Sequence, residues 1–227
     1  MNIMKKILSM LVFALPLVLF SCSKDEPQAT NNNQSVPAVE EDEITYFMCA
    51  AQAKAWQGKD TVAVFEEIKN LGFLEEERYV SSMVFRKDID NRKYTINIPF
   101  NNNIVRSVTI NMECFGAVYT QAAIADSVIL YAGQVKRALA NQGYRFAGSS
   151  NYMWTDPDPN NPGQDISDWQ HFGTYDEFVA AVRALGSHAS VDFTSSAYAN
   201  DGIGTEVHGH YDNNPGYQEL HISFMKQ

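Results

Sequence analysis

The sequence predicts an α+β fold in which antiparallel sheet meanders pack against helices. Three observations carry that expectation. Runs with period-2 alternation come in sets of three, joined by turn-rich connectors. Runs with helical spacing, bounded by caps and glycines, precede those sets. The order helix then three strands occurs twice, over residues 60–115 and 174–224, and suggests two helix-plus-three-strand units. Residue identity between the two stretches is slight, so an internal duplication and independent arrival at one layout both stand.

The elements follow in order. "ITYFMCAAQAKAWQG" at 44–58 has helical composition and stops at Gly58. In the next run Asp60 is placed to cap a helix, Val62, Phe65, Ile68 and Leu71 recur at helical spacing, and Gly72 ends it. Three strands are expected from "RYVSSMVFRK", "KYTINIPF" and "RSVTINMECF". In the second, Tyr94, Ile96, Ile98 and Phe100 alternate with Thr95 and Asn97. In the third, Val108, Ile110 and Met112 alternate with Thr109 and Asn111, so one face of the meander is wet. A long helix is expected over 121–142, ending at Gly143. Short strands near 144–154 and 168–172 flank "TDPDPNNPGQDISD", which reads as a loop. Thr174 and Glu177 have the spacing of a capping box for the next helix. "ASVDFTSS", "GTEVHGHY" and "QELHISF" complete the second set of strands.

The N-terminus begins "MNIMKKILSMLVFALPLVLFSCSKDEPQ". Lys5 and Lys6 precede an apolar run from Ile7 to Phe20 that has secretory length and is too short for a membrane-spanning helix. "LFSC", with small Ser21 before Cys22, resembles the lipobox of bacterial lipoproteins, although Phe20 is bulkier than that family usually places there. The resemblance implies that Cys22 is lipidated and becomes the first mature residue. Lys24, Asp25 and Glu26 resemble the surface-export signal of Bacteroidetes lipoproteins, and Ser23 is not the aspartate that retains enteric lipoproteins at the inner membrane. An outer-membrane lipoprotein exposed at the cell surface is what these residues imply. The resemblance covers the first 26 residues and is silent on the domain behind them. A plain signal peptide cut near Ser21 is the alternative.

The chain therefore divides into a signal peptide (1–21), a flexible tether (22–42) and one α+β domain (43–227). The tether is rich in Asn, Gln, Pro and acids and has almost nothing to bury. Twenty such residues reach about 25 Å end to end. Removing residues 1–21 takes away Lys5 and Lys6 and no acid, which moves the net charge from −10 to −12. With no basic run left, nucleic acid and a polybasic membrane-binding face are excluded as partners, and attachment falls to acyl chains. Besides Cys22 there are Cys49 and Cys114, which either pair or remain buried thiols.

Chemistry concentrates in "TEVHGHYDNNPGYQELHISF" (205–224), which holds three of the five histidines. Its register decides what they share. Pairing Tyr211 with Tyr217 would put His208 and His210 among Leu220, Ile222 and Phe224. Pairing Tyr211 with Gln218 lines one face with Val207, Tyr211, Leu220, Ile222 and Phe224, and the other with Glu206, His208, His210, Glu219, His221 and Ser223. A one-residue slip exchanges the faces, so the second register is expected. His208 then faces His221 and His210 faces Glu219, at Cβ separations of about 5 Å. Asp192, alternating outward between Val191 and Phe193, adds a carboxylate.

Two histidines two apart on a strand, facing a third across the ladder, can bind zinc. Glu219 or another carboxylate would be a ligand or would orient an imidazole. Alternation alone, however, puts every polar residue of a half-buried hairpin on this face. A wet face with no metal or other cofactor is the first reading, and a zinc site of His208, His210, His221 and Glu219 the second. No helical HExxH motif accompanies them.

Two weaker constellations remain. Asp156, Asp158, Asn160 and Asp165 offer oxygen ligands, but the glycine is misplaced for a calcium-binding EF-hand loop and prolines intrude. Tyr152, Trp154, Trp169 and Tyr175, near His171 and Phe172, could stack on sugar rings, anchor a protein or pack a core. No Gly-rich phosphate cradle, nucleophile elbow or cysteine-protease signature is present. The leading functional reading is a non-enzymatic, surface-anchored module binding an extracellular glycan or protein. The alternative is a zinc-binding protein or metallohydrolase built on the C-terminal histidines.

Overall fold

The computed structural model describes residues 50–89, 92–114, 119–145, 147–199, 202–214 and 218–227. The expectations for the signal peptide, Cys22, the tether, the start of the first helix and Cys49 lie outside the described residues. Among the described residues no helix is long and apolar enough to cross a membrane.

Helices α1 (Ala50–Trp56) and α2 (Thr61–Asn70) come first. The Asp60 side chain accepts from the Val62 N–H and caps α2, and Gly72, at φ 85°, follows its end. Strands β1 (Leu74–Arg78), β2 (Ser82–Ile89), β3 (Arg92–Asn101), β4 (Ile104–Val105) and β5 (Val108–Cys114) follow. Then come α3 (Gln121–Asn141), β6 (Ala147–Pro157), β7 (Asp165–Phe172) and α4 (Tyr175–Ala184). The chain ends with β8 (Ser190–Ala199), β9 (Ile203–Asp212) and β10 (Glu219–Lys226). Thr174 caps α4 by accepting from the Glu177 N–H at 3.3 Å.

These strands form one ten-stranded antiparallel sheet in the order β1-β2-β3-β5-β10-β9-β8-β6-β7, with β4 on β3. The expected α+β fold of separate sheet meanders packed against helices, in two helix-plus-three-strand units, does not describe it. The molecule is dominated by this single sheet: β5 pairs with β10 and fuses the two meanders, β1 and β4 enlarge the first, and β6 and β7 join the second through β8. Period-2 alternation shows which side chains share a face but not which strands are neighbours. A three-stranded meander ends in two rows of unpaired backbone groups, and β5 meeting β10 satisfies one row from each. Their apolar faces also merge into one core.

The four described helices lie on one face. Phe65 of α2 touches Phe85 and Phe100 with ring centroids at 5.3 and 5.9 Å, and Phe178 of α4 meets Phe172 at 6.1 Å. Gln52 of α1 donates to Glu67 of α2 at 2.7 Å, and α1 rests on β5 and β10. Helix α3 crosses β9 so closely that a Cβ on Gly209 would stand 2.6 Å from Val128 Cγ2 and 2.7 Å from Ile124 Cγ2. Only glycine admits that approach. Beneath the helices Val207, Leu220, Ile222 and Phe224 are essentially fully buried, each burial favouring the fold by roughly 1.5–3 kcal/mol.

A second correction concerns residues 155–168. Thr155–Pro157 belong to β6 and Asp165–Asp168 to β7, so the loop shrinks to 158–164. Strand β7 is the sheet edge and its residues are exposed apart from a partly buried Phe172. No core presses on it, so it needs backbone pairing but no apolar alternation. Asp158 builds the loop, accepting from the Asn160 N–H at 2.8 Å and the Asn161 amide at 2.6 Å.

Candidate functional site on the uncovered face of the sheet

The face turned away from the four helices carries the polar half of every alternating strand. β9 and β10 pair with His208 opposite His221 and His210 opposite Glu219, the register expected from the apolar pattern. The neighbouring strands extend these positions into rows. Thr194 lies opposite His208, and Glu113 opposite His221. Asp192 lies opposite His210 and Met153, and Met153 opposite Trp169. The first row therefore runs through the histidines toward Lys93, which holds Glu113 at 2.8 Å.

Where the rows cross β8, β9 and β10, imidazoles and carboxylates interlock. Asp192 Oδ1 lies 2.8 Å from His210 Nδ1 and 3.3 Å from His208 Nε2. The His208 and His221 rings stand 4.9 Å apart, tilted by 46°. His221 Nε2 is 3.6 Å from Glu206 Oε1, an ion-pair separation. His208 Nδ1 lies 3.2 Å from Glu219 Oε1 but out of line for a hydrogen bond, so this nitrogen is buried without one.

The electrostatics follow from these contacts. The hydrogen bond from His208, with that from His210, holds the Asp192 carboxyl below its usual range against the opposing effect of burial. The same bond raises His208, with Glu219 and Glu206 adding charge and burial working against it. His221 lowers Glu206. Asp192, Glu206 and Glu219 thus set three carboxylates against the imidazoles of His208, His210 and His221. His208, Glu219 and His221 each bring one ligand atom to within 4.8 Å of the others, and these three could hold a metal ion. His210 is not part of that triplet. Its Nδ1 is engaged by Asp192.

The four aromatic candidates do not converge. Tyr152 and Trp154 lie on the helix-covered face, opposite buried Phe193 and Val191. Tyr152 packs on Phe172 at 5.6 Å, and Trp154 stacks on His188 at 4.3 Å. Tyr175 is half-buried at the start of α4 and donates its hydroxyl to the Ile129 carbonyl at 2.5 Å. Trp169 alone stands on the uncovered face, 59% exposed and nearly parallel to the His171 ring at 5.7 Å. Of the candidate calcium ligands, Asp158 is taken up by the loop and Asp156 by the neighbouring strand connection. Asp156 accepts from the Ala189 N–H and pairs with His188 at 2.7 Å, and both interactions hold its carboxyl low.

Sequence reasoning missed His188, which anchors the base of β6 through Asp156 although the two are 32 positions apart. It also missed Glu113 and Lys93 as neighbours of the cluster, because only the β5–β10 pairing brings them there. Cys114 carries a free thiol, buried on the covered face, and burial pushes it up to about 11. No family model, curated protein or solved structure matches this chain.

Proposed function

We propose that this chain is a lipoprotein anchored through Cys22 at the outer surface of a bacterial outer membrane. Its domain is a non-enzymatic module that binds an extracellular glycan on the uncovered face of the sheet. The single observation that carries the ligand class is the Trp169–His171 pair: two flat rings, 10° from parallel, at the open edge of a polar face. A sugar ring can lay its apolar C–H face on such a platform, and further units of the same glycan can reach Asp192, His210 and Glu219, which lie two to four strands away in the same row. A protein partner is the second reading, favoured by β7 being an edge strand whose outer backbone groups could take up another strand.

Electrophoresis of soluble chain from Ser23 onward through gels containing neutral, cationic or anionic polysaccharide tests the ligand class. Retardation by one of them, lost in Trp169→Ala, is expected. Migration unchanged in every gel would turn the reading toward a protein partner. For the anchor, Cys22→Ala should abolish lipid labelling and release soluble protein. Continued partition of that variant with membranes would contradict it.

A further inference from the structure

We infer that His208, Glu219 and His221 form a zinc site with one position open to water or to an external group. The inference does not depend on the glycan reading: the Trp169–His171 platform supplies none of the three ligands, and of the three only Glu219 also stands in the row proposed to meet a glycan.

The strongest observation is a nitrogen with nothing to do. His208 Nδ1 is shut off from solvent and makes no hydrogen bond, although Glu219 Oε1 lies 3.2 Å away. A buried polar atom is ordinarily satisfied, and an orphan of this kind calls for a specific explanation. Asp192 supplies one by holding the other nitrogen, Nε2, at 3.3 Å. With the ring proton on Nε2, Nδ1 is left as an unprotonated lone pair beside Glu219. A carboxylate behind one imidazole nitrogen, with the second nitrogen presented forward, is the arrangement that orients a metal-ligating histidine.

The rest of the donor set agrees. His221 is the direct cross-strand partner of His208, and Glu219 is the residue two before it on β10, so the three project from two paired strands. Their ligand atoms already lie within 4.8 Å of one another. Zinc bonds of about 2.0–2.2 Å require the donors to close in further. Glu219, 60% exposed, is free to swing, while His208 is held by Asp192. Two imidazoles and one carboxylate select a borderline cation over magnesium or calcium, which prefer all-oxygen shells. Three protein ligands leave a fourth tetrahedral position. The local charge favours a dication: Asp192, Glu206 and Glu219 surround the site, whereas Glu113 is neutralised by Lys93.

The test is isothermal titration of untagged, EDTA-stripped chain from Ser23 onward with zinc chloride, alongside metal analysis after dialysis. A single zinc per chain is expected, with no response to magnesium. His208→Ala and His221→Ala should each abolish it. Asp192→Asn, which touches no metal directly, should weaken it about 10–100-fold. His171→Ala, on the same face but outside the triplet, should leave it unchanged. Because a histidine variant could also disturb the fold, Glu219→Gln on an exposed side chain is the safeguard, and it should weaken zinc while leaving the metal-free melting curve in place. Absence of stoichiometric zinc in the unmodified chain overturns the inference. So does zinc binding that survives His208→Ala, or that Glu219→Gln leaves as tight as in the unmodified chain.

Discussion

Hairpins β9–β10 and β6–β7 share one motif but sit in opposite circumstances within the sheet. β9 and β10 are interior strands, paired on both sides and overlain by α3, and their burial alternates residue by residue. β7 is the sheet edge, with both its faces exposed over 165–171. Alternation in a sequence therefore reports a face pressed on a core and not the presence of a strand. At the edge, the ladder forms from backbone hydrogen bonds alone, and a stretch of Asp, Ser and Gln can join it. The interior hairpin can also hold a polar cluster in register because its other face is locked into the core. The edge hairpin offers Trp169 to solvent instead.

The widest gap between the two hairpins should appear on cavity formation. Ile222→Ala, at 0% exposure, is expected to cost about 2–5 kcal/mol in urea unfolding. Ile166→Ala, at 43% exposure on β7, should stay within about 0.5 kcal/mol. Equal costs would erase the distinction. Close approach gives a smaller contrast. Gly209→Ala forces a methyl against Val128 and Ile124 and should cost roughly 1–3 kcal/mol. Gly173→Ala, with open space around it at the end of the edge hairpin, should be close to neutral by the same measurement.

The smallest effect is the pH dependence of the metal-free protein. His208 is raised from 6.5 by Asp192, so its contribution is complete below about 6.5 and is lost as pH rises through its higher folded value. Asp192 is lowered from 3.8, so its contribution is present above that value and is lost on acidification through its lower folded value. Stability from this pair should therefore be greatest between the two. His208→Gln should flatten the decline on the alkaline side when thermal melts in EDTA are compared across pH. An unchanged slope would show that the pair does not couple to folding.

Much of the interior was legible before any coordinates. Asp60 and Thr174 cap the helices expected of them, and the segregation of Leu220, Ile222 and Phe224 from His208, His210 and His221 selects the observed register. Each of these is a local pattern, written within a short stretch of chain. What stayed hidden is long-range or lacks a core. No local pattern says that β5 meets β10, and with that pairing go the single sheet and the approach of Glu113 and Lys93 to His221. Strands β1 and β7 carry exposed residues on both faces and leave no periodic trace. The aromatic group failed for a related reason. Tyr152 and Trp154 share a parity in β6 that places them under the helices, while Trp169 has the opposite parity through its pairing with Met153. That was unreadable while 155–168 passed for a loop.

The central claim is that the crossing of β8, β9 and β10 on the uncovered face is a working site and not merely a wet surface. Long-range proton–nitrogen NMR of the histidine rings reads the atoms involved. In the metal-free protein, at a pH above the raised His208 value, His208 should carry its proton on Nε2, facing Asp192, with Nδ1 unprotonated. One equivalent of zinc should then shift the ring nitrogens of His208 and His221 strongly, and leave those of His188, held by Asp156, in place. Ring signals at His208 and His221 that do not respond to zinc, or that move no more than His188, would contradict the claim.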